Sequence, residues 1–149
     1  MIEAGMEPVP PDWPKAGDEI RVQNFGPFAR EALARYASVS GDDNPLHLDP
    51  EAARAAGFAA PPVHGMLMLS CFESLIMRWR RDLFIARLSG KFLRPVPAGE
   101  GMRVSGRIMR RRDAPRPELT VRLIARAQNN DLAILGEATV LYKIPGSPS

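Results

Sequence analysis

Residues 66–79 place Met66, Leu67, Met68, Leu69, Cys71, Phe72, Leu75, Ile76 and Met77 in a single stretch, so a helix built from it is apolar nearly all round. Such a helix has to be wrapped by other elements. The chain beyond it supplies them, because strand-type patterning marks residues 83–93, 102–111, 118–127 and 133–142. Pro, Gly, Asn and Asp gather in the intervening segments 95–101, 113–117 and 128–131, which suits an antiparallel meander. A long buried helix and then consecutive strands make an α+β arrangement, a sheet packed around a helix. One residue fits this poorly. Glu73 is the only charged side chain between Met66 and Met77, and a buried carboxylate must find a partner, reach water or take up a proton.

Ahead of the helix, residues 1–15 are rich in proline and lack periodicity, and are expected to form an extended arm that Trp13 anchors. The domain is expected to run from 16 to 145, with a loose tail over 146–149. Glu19–Phe25 suits a short strand. Pro27 then introduces a helix over 28–39, with Phe28, Ala32, Tyr36 and Val39 at helical spacing. The 149 residues suffice for one core, and 45% hydrophobic against 25% charged residues is the balance of a folded chain.

The net charge of +3 and the arginines between 103 and 126 raise the question of nucleic acid. Arg103, Arg107, Arg122 and Arg126 alternate with apolar residues, as on the wet face of a sheet. No aromatic residues interleave to stack bases, so no nucleic-acid partner is expected. No stretch reaches the ~20 apolar residues of a membrane span, and the N-terminal residues show no export signal, so no membrane association is expected. A single cysteine, Cys71, rules out an intrachain disulfide and suits a reducing cytoplasm. Its apolar neighbours make it a core thiol rather than a nucleophile.

The chemistry concentrates in residues 40–70, SGDDNPLHLDPEAARAAGFAAPPVHGMLMLS, which contain both histidines of the protein. Asp42, Asp43, Asn44 and Pro45 break the preceding helix, and His47 comes directly after. Asp49 and Pro50 are placed as N-cap and first residue of a short helix that Gly57 closes. A proline-containing loop then leads to His64, Gly65 and the apolar helix. The segment thus offers carboxylates, imidazoles and the free N–H groups of a helix start, which are the parts of an acid–base site with an oxyanion seat.

The order of these residues resembles the hydratase signature of the MaoC-like dehydratase family, which includes the (R)-specific enoyl-CoA hydratases. The matching positions are Ser40-Gly41-Asp42, Asn44-Pro45-Leu46-His47, Asp49, Gly57-Phe58 and Val63-His64-Gly65-Met66-Leu67. A second match is Lys91-Phe92-Leu93-Arg94-Pro95-Val96 with Gly99-Glu100, where the family usually has Asp rather than Glu100. The resemblance runs from about 16 to 142 and implies a single hot dog fold.

It implies reversible hydration of a trans-2-enoyl-CoA to the (R)-3-hydroxyacyl-CoA, with coenzyme A entering as part of the substrate and no cofactor or metal. Asp42 and His47 become the catalytic pair, and Gly65 offers its N–H to the thioester carbonyl. Sequence chemistry alone leaves Asp43 as a rival to Asp42. Asn44 and His64 adjoin the substrate, the first chiefly shaping the turn and the second chiefly packing at the loop-to-helix join. A metal set of His47, Asp49 and His64 is conceivable by ligand type but nothing completes it. Lys91 and Arg94 face either coenzyme A phosphates or plain solvent. Glu73 either shapes the acyl pocket or forms a structural ion pair. A homodimer or higher oligomer is expected, a heteromer with another hot dog subunit being the variant. Two further classes stay open: an acyl-CoA thioesterase, and a noncatalytic acyl-CoA-binding or assembly subunit.

Overall fold

The structure, a computed structural model, describes residues 8–144. The first seven residues of the expected arm, the domain boundary at 145 and the tail over 146–149 lie outside the described residues. Five strands, β1 (Glu19–Phe25), β2 (Leu83–Phe92), β3 (Met102–Arg112), β4 (Glu118–Ala127) and β5 (Leu132–Tyr142), form one antiparallel sheet in the order β1-β3-β4-β5-β2. Three helices, α1 (Arg30–Ser40), α2 (Pro50–Ala55) and α3 (Gly65–Trp79), come between β1 and β2, with a 3-10 turn at Pro45–His47.

The sheet wraps α3 because its inner face is apolar by strict alternation. On β4, Leu119, Val121, Leu123 and Ala125 are fully buried, and α3 answers with Phe72, Leu75 and Ile76, also fully buried. Each of these side chains larger than alanine contributes roughly 1.5–3 kcal/mol through burial. The helix comes closest where Gly90 and Gly136 stand opposite each other on β2 and β5. A Cβ on Gly136 would lie 2.6 Å from Phe72, and one on Gly90 2.8 Å from Leu69, so the helix rests on bare backbone there.

Three expectations change. Strands β3, β4 and β5 form the meander, but β2 pairs with β5, at the far edge from β3. The segment between β2 and β3 is therefore a crossover. Its turn-forming residues bond elsewhere: Val63 N–H reaches the Val96 carbonyl at 2.8 Å, Ala98 N–H the Pro61 carbonyl at 2.8 Å and Gly99 N–H the Phe28 carbonyl at 2.7 Å. Helix α1 turns Leu33 and Ala37 inward, while Val39 is 86% exposed and Phe28 is buried ahead of the helix. Helix α3 is not covered all round either. Met66, Ser70 and Glu73 are exposed along one stripe, so Glu73 satisfies its charge by reaching water.

The described part of the arm is anchored as expected. Trp13 is buried edge-on against Tyr142, and its carbonyl accepts a hydrogen bond from Arg111. Arg80, just past α3, bonds Asp82 at 2.6 and 2.8 Å and Asp12 at 3.2 Å, with its guanidinium 5.5 Å from the Trp13 ring.

Candidate active site

Helix α1 ends because Gly41 takes the left-handed conformation at φ 79°, with its N–H on the Ala37 carbonyl at 2.9 Å. Ser40 fixes the turn beyond the helix end. Its hydroxyl donates to the Tyr36 carbonyl and accepts the Asp42 N–H at 3.1 Å. Asn44 caps the 3-10 turn through Oδ1, which accepts the Leu46 N–H at 3.0 Å, the turn-shaping task expected of it. Asp49 caps α2 by accepting the Glu51 N–H at 3.0 Å, with Pro50 first in the helix.

His47 is aimed by the backbone. Its Nδ1 lies 2.7 Å from the Pro62 carbonyl, and a carbonyl can only accept, so Nδ1 carries the proton. The neutral ring therefore presents a bare Nε2, which stands 3.9 Å from Oδ2 of Asp42. That gap is too long for a direct hydrogen bond and joins two acceptors. A molecule with two protons to give, such as water, suits both. Asp42 is half exposed and His47 mostly covered, so the pair opens to solvent on the carboxylate side. Asp42, rather than its exposed neighbour Asp43, faces His47.

His64 lies fully buried between Tyr36, 4.7 Å away, and His47, whose ring stacks on it at 4.0 Å. Its Nε2 donates to the Asp42 carbonyl at 3.1 Å, leaving Nδ1 as a buried lone pair with no partner among the described residues. Burial pushes this imidazole below its usual pKa. The Asp42 carbonyl opposes that, the His47 ring adds to it, and the Asp42 carboxylate opposes it in turn. Burial likewise pushes the Cys71 thiol up to about 11, which makes it inert as a nucleophile.

Asp42, His47 and His64 offer donor atoms within 4.8 Å of one another, so the conceivable metal set has Asp42 where the sequence suggested Asp49. The ring geometry does not suit it. Imidazoles bind an ion through lone pairs in their ring planes, and two rings stacked 24° from parallel keep those planes apart.

Beside His64, Gly65 begins α3. His64 makes no side-chain cap, and the first N–H groups of the helix, on Gly65, Met66 and Leu67, have no partner among the described residues. The helix dipole and these free donors favour negative charge at this spot.

Other expected positions fall further out. Lys91 and Arg94 are both exposed and without an ion pair among the described residues. Lys91 alternates with Gly90 and Phe92, which face α3, and so lies on the opposite side of the sheet. Glu73 borders an open groove of about 880 Å³ with Met77 on α3 and Ile85, Arg87 and Leu88 on β2. Sequence reasoning did not single out the Pro62 carbonyl, Tyr36 as a stacking partner, or Phe92. Phe92 sits inside the second matched motif, the one signal that pointed to it.

Comparison with known proteins bears on the family and the fold. Residues 13–128 match the family described as "MaoC like domain". The (R)-specific enoyl-CoA hydratase of Aeromonas caviae is 35% identical over 122 residues, which are 79% of this chain and 87% of that protein. A mitochondrial 3-hydroxyacyl-[acyl-carrier-protein] dehydratase of Arabidopsis thaliana is 42% identical over 86 residues, 58% of this chain but only 51% of that protein, so the match spans about half of it. The solved structure of an (R)-hydratase from A. caviae involved in PHA biosynthesis aligns with a TM-score of 0.81 at 30% identity, covering 90% of this chain and 99% of that one. The sheet wrapped around α3 is thus the hot dog fold.

Proposed function

The chain belongs to the MaoC-like family, and from that premise we propose that it is a lyase that adds water reversibly to a trans-2-enoyl-CoA, giving the (R)-3-hydroxyacyl-CoA. The observation that carries this reading is the pair of acceptors, Asp42 Oδ2 and His47 Nε2, 3.9 Å apart next to an uncapped helix start. A water held by both has its oxygen lone pairs turned outward. As that oxygen adds to C3 of the enoyl group, His47 Nε2 takes a proton, and electrons move through C2 onto the thioester oxygen. The Gly65 N–H stabilises the enolate so formed. When the enolate collapses, the pair returns a proton to C2, and the net change is one water added. No metal or cofactor enters the scheme. Asn44 keeps the turn in shape, and His64 braces both partners, His47 by stacking and Asp42 through its carbonyl.

We assign Arg94 to the phosphates of the coenzyme A carrier and leave Lys91 as a solvated cation on the far face. Arg94→Ala should raise KM for coenzyme A thioesters and leave that for pantetheine thioesters, which lack the nucleotide phosphates, unchanged. Glu73 tunes the acyl groove it borders. Glu73→Ser should shift acyl-chain preference, and an unaltered preference with a weakened oligomer would give the residue a structural role instead.

The chain acts as a homodimer through β2, a ten-residue strand at the sheet edge, with no strand beyond it among the described residues and with Phe84 exposed. A monomer in sedimentation at micromolar concentration would remove this part, and a stable complex only with a second hot dog subunit would replace it. No helix among the described residues is long and apolar enough to cross a membrane. The cytoplasm is the compartment we assign, on the single buried cysteine.

The deciding experiment incubates the protein with a panel of trans-2-enoyl-CoA thioesters of different length and branching, following enoyl absorbance and free thiol separately. Loss of absorbance without thiol is the expected result. Thiol release would make the protein a thioesterase, and binding without turnover across the panel a noncatalytic subunit.

A further inference from the structure

Gly65 offers the N–H that the reaction needs, yet nothing in its backbone calls for glycine. It has no positive φ, unlike Gly41, and it begins a helix, where alanine is the better former. Alanine would also present the same N–H. What glycine alone provides is room. A Cβ at this position would stand 3.1 Å from Cε1 and 3.2 Å from Cζ of Phe92, closer than such contacts ordinarily run. The edge of the Phe92 ring therefore lies on the bare Cα of the first residue of α3.

The backbone under that ring is held in place. Phe92 is the last residue of β2, paired with Ile134, and the next N–H, of Leu93, bonds the Ala133 carbonyl at 2.8 Å. The ring itself is 47% exposed, a large apolar group half in water beside unpaired helix N–H groups. Such donors act strongly on developing charge only where water does not compete for them. An apolar ring against the helix start keeps water off one side of them.

We propose that Phe92 is a positioning residue for the thioester: its ring walls the carbonyl seat at the start of α3, and residue 65 is glycine so that the ring can lie there. This deepens the hydratase reading and rests on it.

The test compares hydration of one enoyl-CoA by wild type, Gly65→Ala, Phe92→Ala, Phe92→Leu and the double variant Gly65→Ala/Phe92→Ala. The inhibition constant of the saturated acyl-CoA of equal length is measured alongside. Gly65→Ala keeps the N–H and should melt no lower than wild type. Its Cβ displaces the ring by a few tenths of an ångström, and kcat should fall about tenfold. Phe92→Ala should lose at least as much and Phe92→Leu less, with the saturated ligand's inhibition constant moving less than kcat in each. The double variant should match Phe92→Ala, since without the ring the extra methyl displaces nothing. Wild-type turnover in Gly65→Ala would overturn the proposal, as would losses that multiply in the double variant. So would a Phe92→Ala protein that melts early but turns over normally per folded molecule. A wild type that hydrates nothing in the panel would sink the hydratase reading and this inference together. An active wild type with an undiminished Gly65→Ala would sink only this one.

Discussion

The two ends of α3 are finished in opposite ways. At the C-terminal end side chains tie the helix down: Arg80 N–H bonds the Ile76 carbonyl, and the Arg80 guanidinium clamps Asp82 and Asp12. Arg78 adds a hydrogen bond to Gln23 at 3.1 Å and lies over the Phe25 ring. At the N-terminal end, 15 residues of helix begin without a side-chain cap, beside two acceptors that do not reach each other. Side chains secure one end, and at the other no side chain caps the helix start. The site proposed above lies at the end that no side chain closes.

The sharpest way to break the comparison is at the open end. Asp42→Asn and His47→Ala should each lower turnover by about 10²–10⁴-fold, with melting temperatures near wild type. The double variant should resemble the worse single one, because two groups that share one water act as a unit. A large loss from Asp43→Asn with Asp42→Asn nearly silent would contradict the geometry. At the closed end the effect should be the mirror image. Arg80→Ala strips two carboxylates of their partner and should cost on the order of 2 kcal/mol in denaturant unfolding, with kcat per folded molecule unchanged. Lost turnover without lost stability there would erase the distinction between the ends.

The third and smallest effect belongs to the open end, at the residue that precedes the helix. His64 has its folded pKa pushed below the unfolded value of 6.5, so the unfolded chain takes up the proton first. Stability from this residue is fully present above 6.5 and is lost as pH falls from there toward the lowered folded value. The urea midpoint should drop over that window, and the His64 ring signal in NMR should titrate below 6.5. A midpoint that rises on acidification would reverse the assignment.

Much of this was legible in the sequence. Strand limits could be read from alternation, and β1 and β4 begin and end where the pattern places them. Local turn and cap chemistry was legible too, since Asn44 and Asp49 accept from N–H groups two residues on and Gly57 takes a φ of 93° just past α2. Pairing was not, because turn residues between β2 and β3 look the same whether they close a hairpin or bond back to residues 61–63. The apolar run of α3 carried a similar ambiguity: composition cannot tell a face covered by its own sheet from one left open, and Met66 is 60% exposed. Asp42 and His47 were picked out through their spacing in a known signature, and the structure sets carboxylate and ring 3.9 Å apart. The stacking of His64 on His47 and of Phe92 on Gly65 joins residues 17 and 27 positions apart, and no local pattern encodes it.

The proton on His47 is placed by a main-chain oxygen, that of Pro62, and its segment is tied in turn to the backbone of residues 96–98. Every amino acid carries that oxygen. A change of codon at 62 therefore leaves the tautomer-setting contact chemically intact, whereas one residue gained or lost in either segment carries the oxygen off its mark. At this point the chain's inheritance is one of length rather than of letters. Exchange of side chains along both segments is tolerated by the proton's position, and insertion or deletion is not.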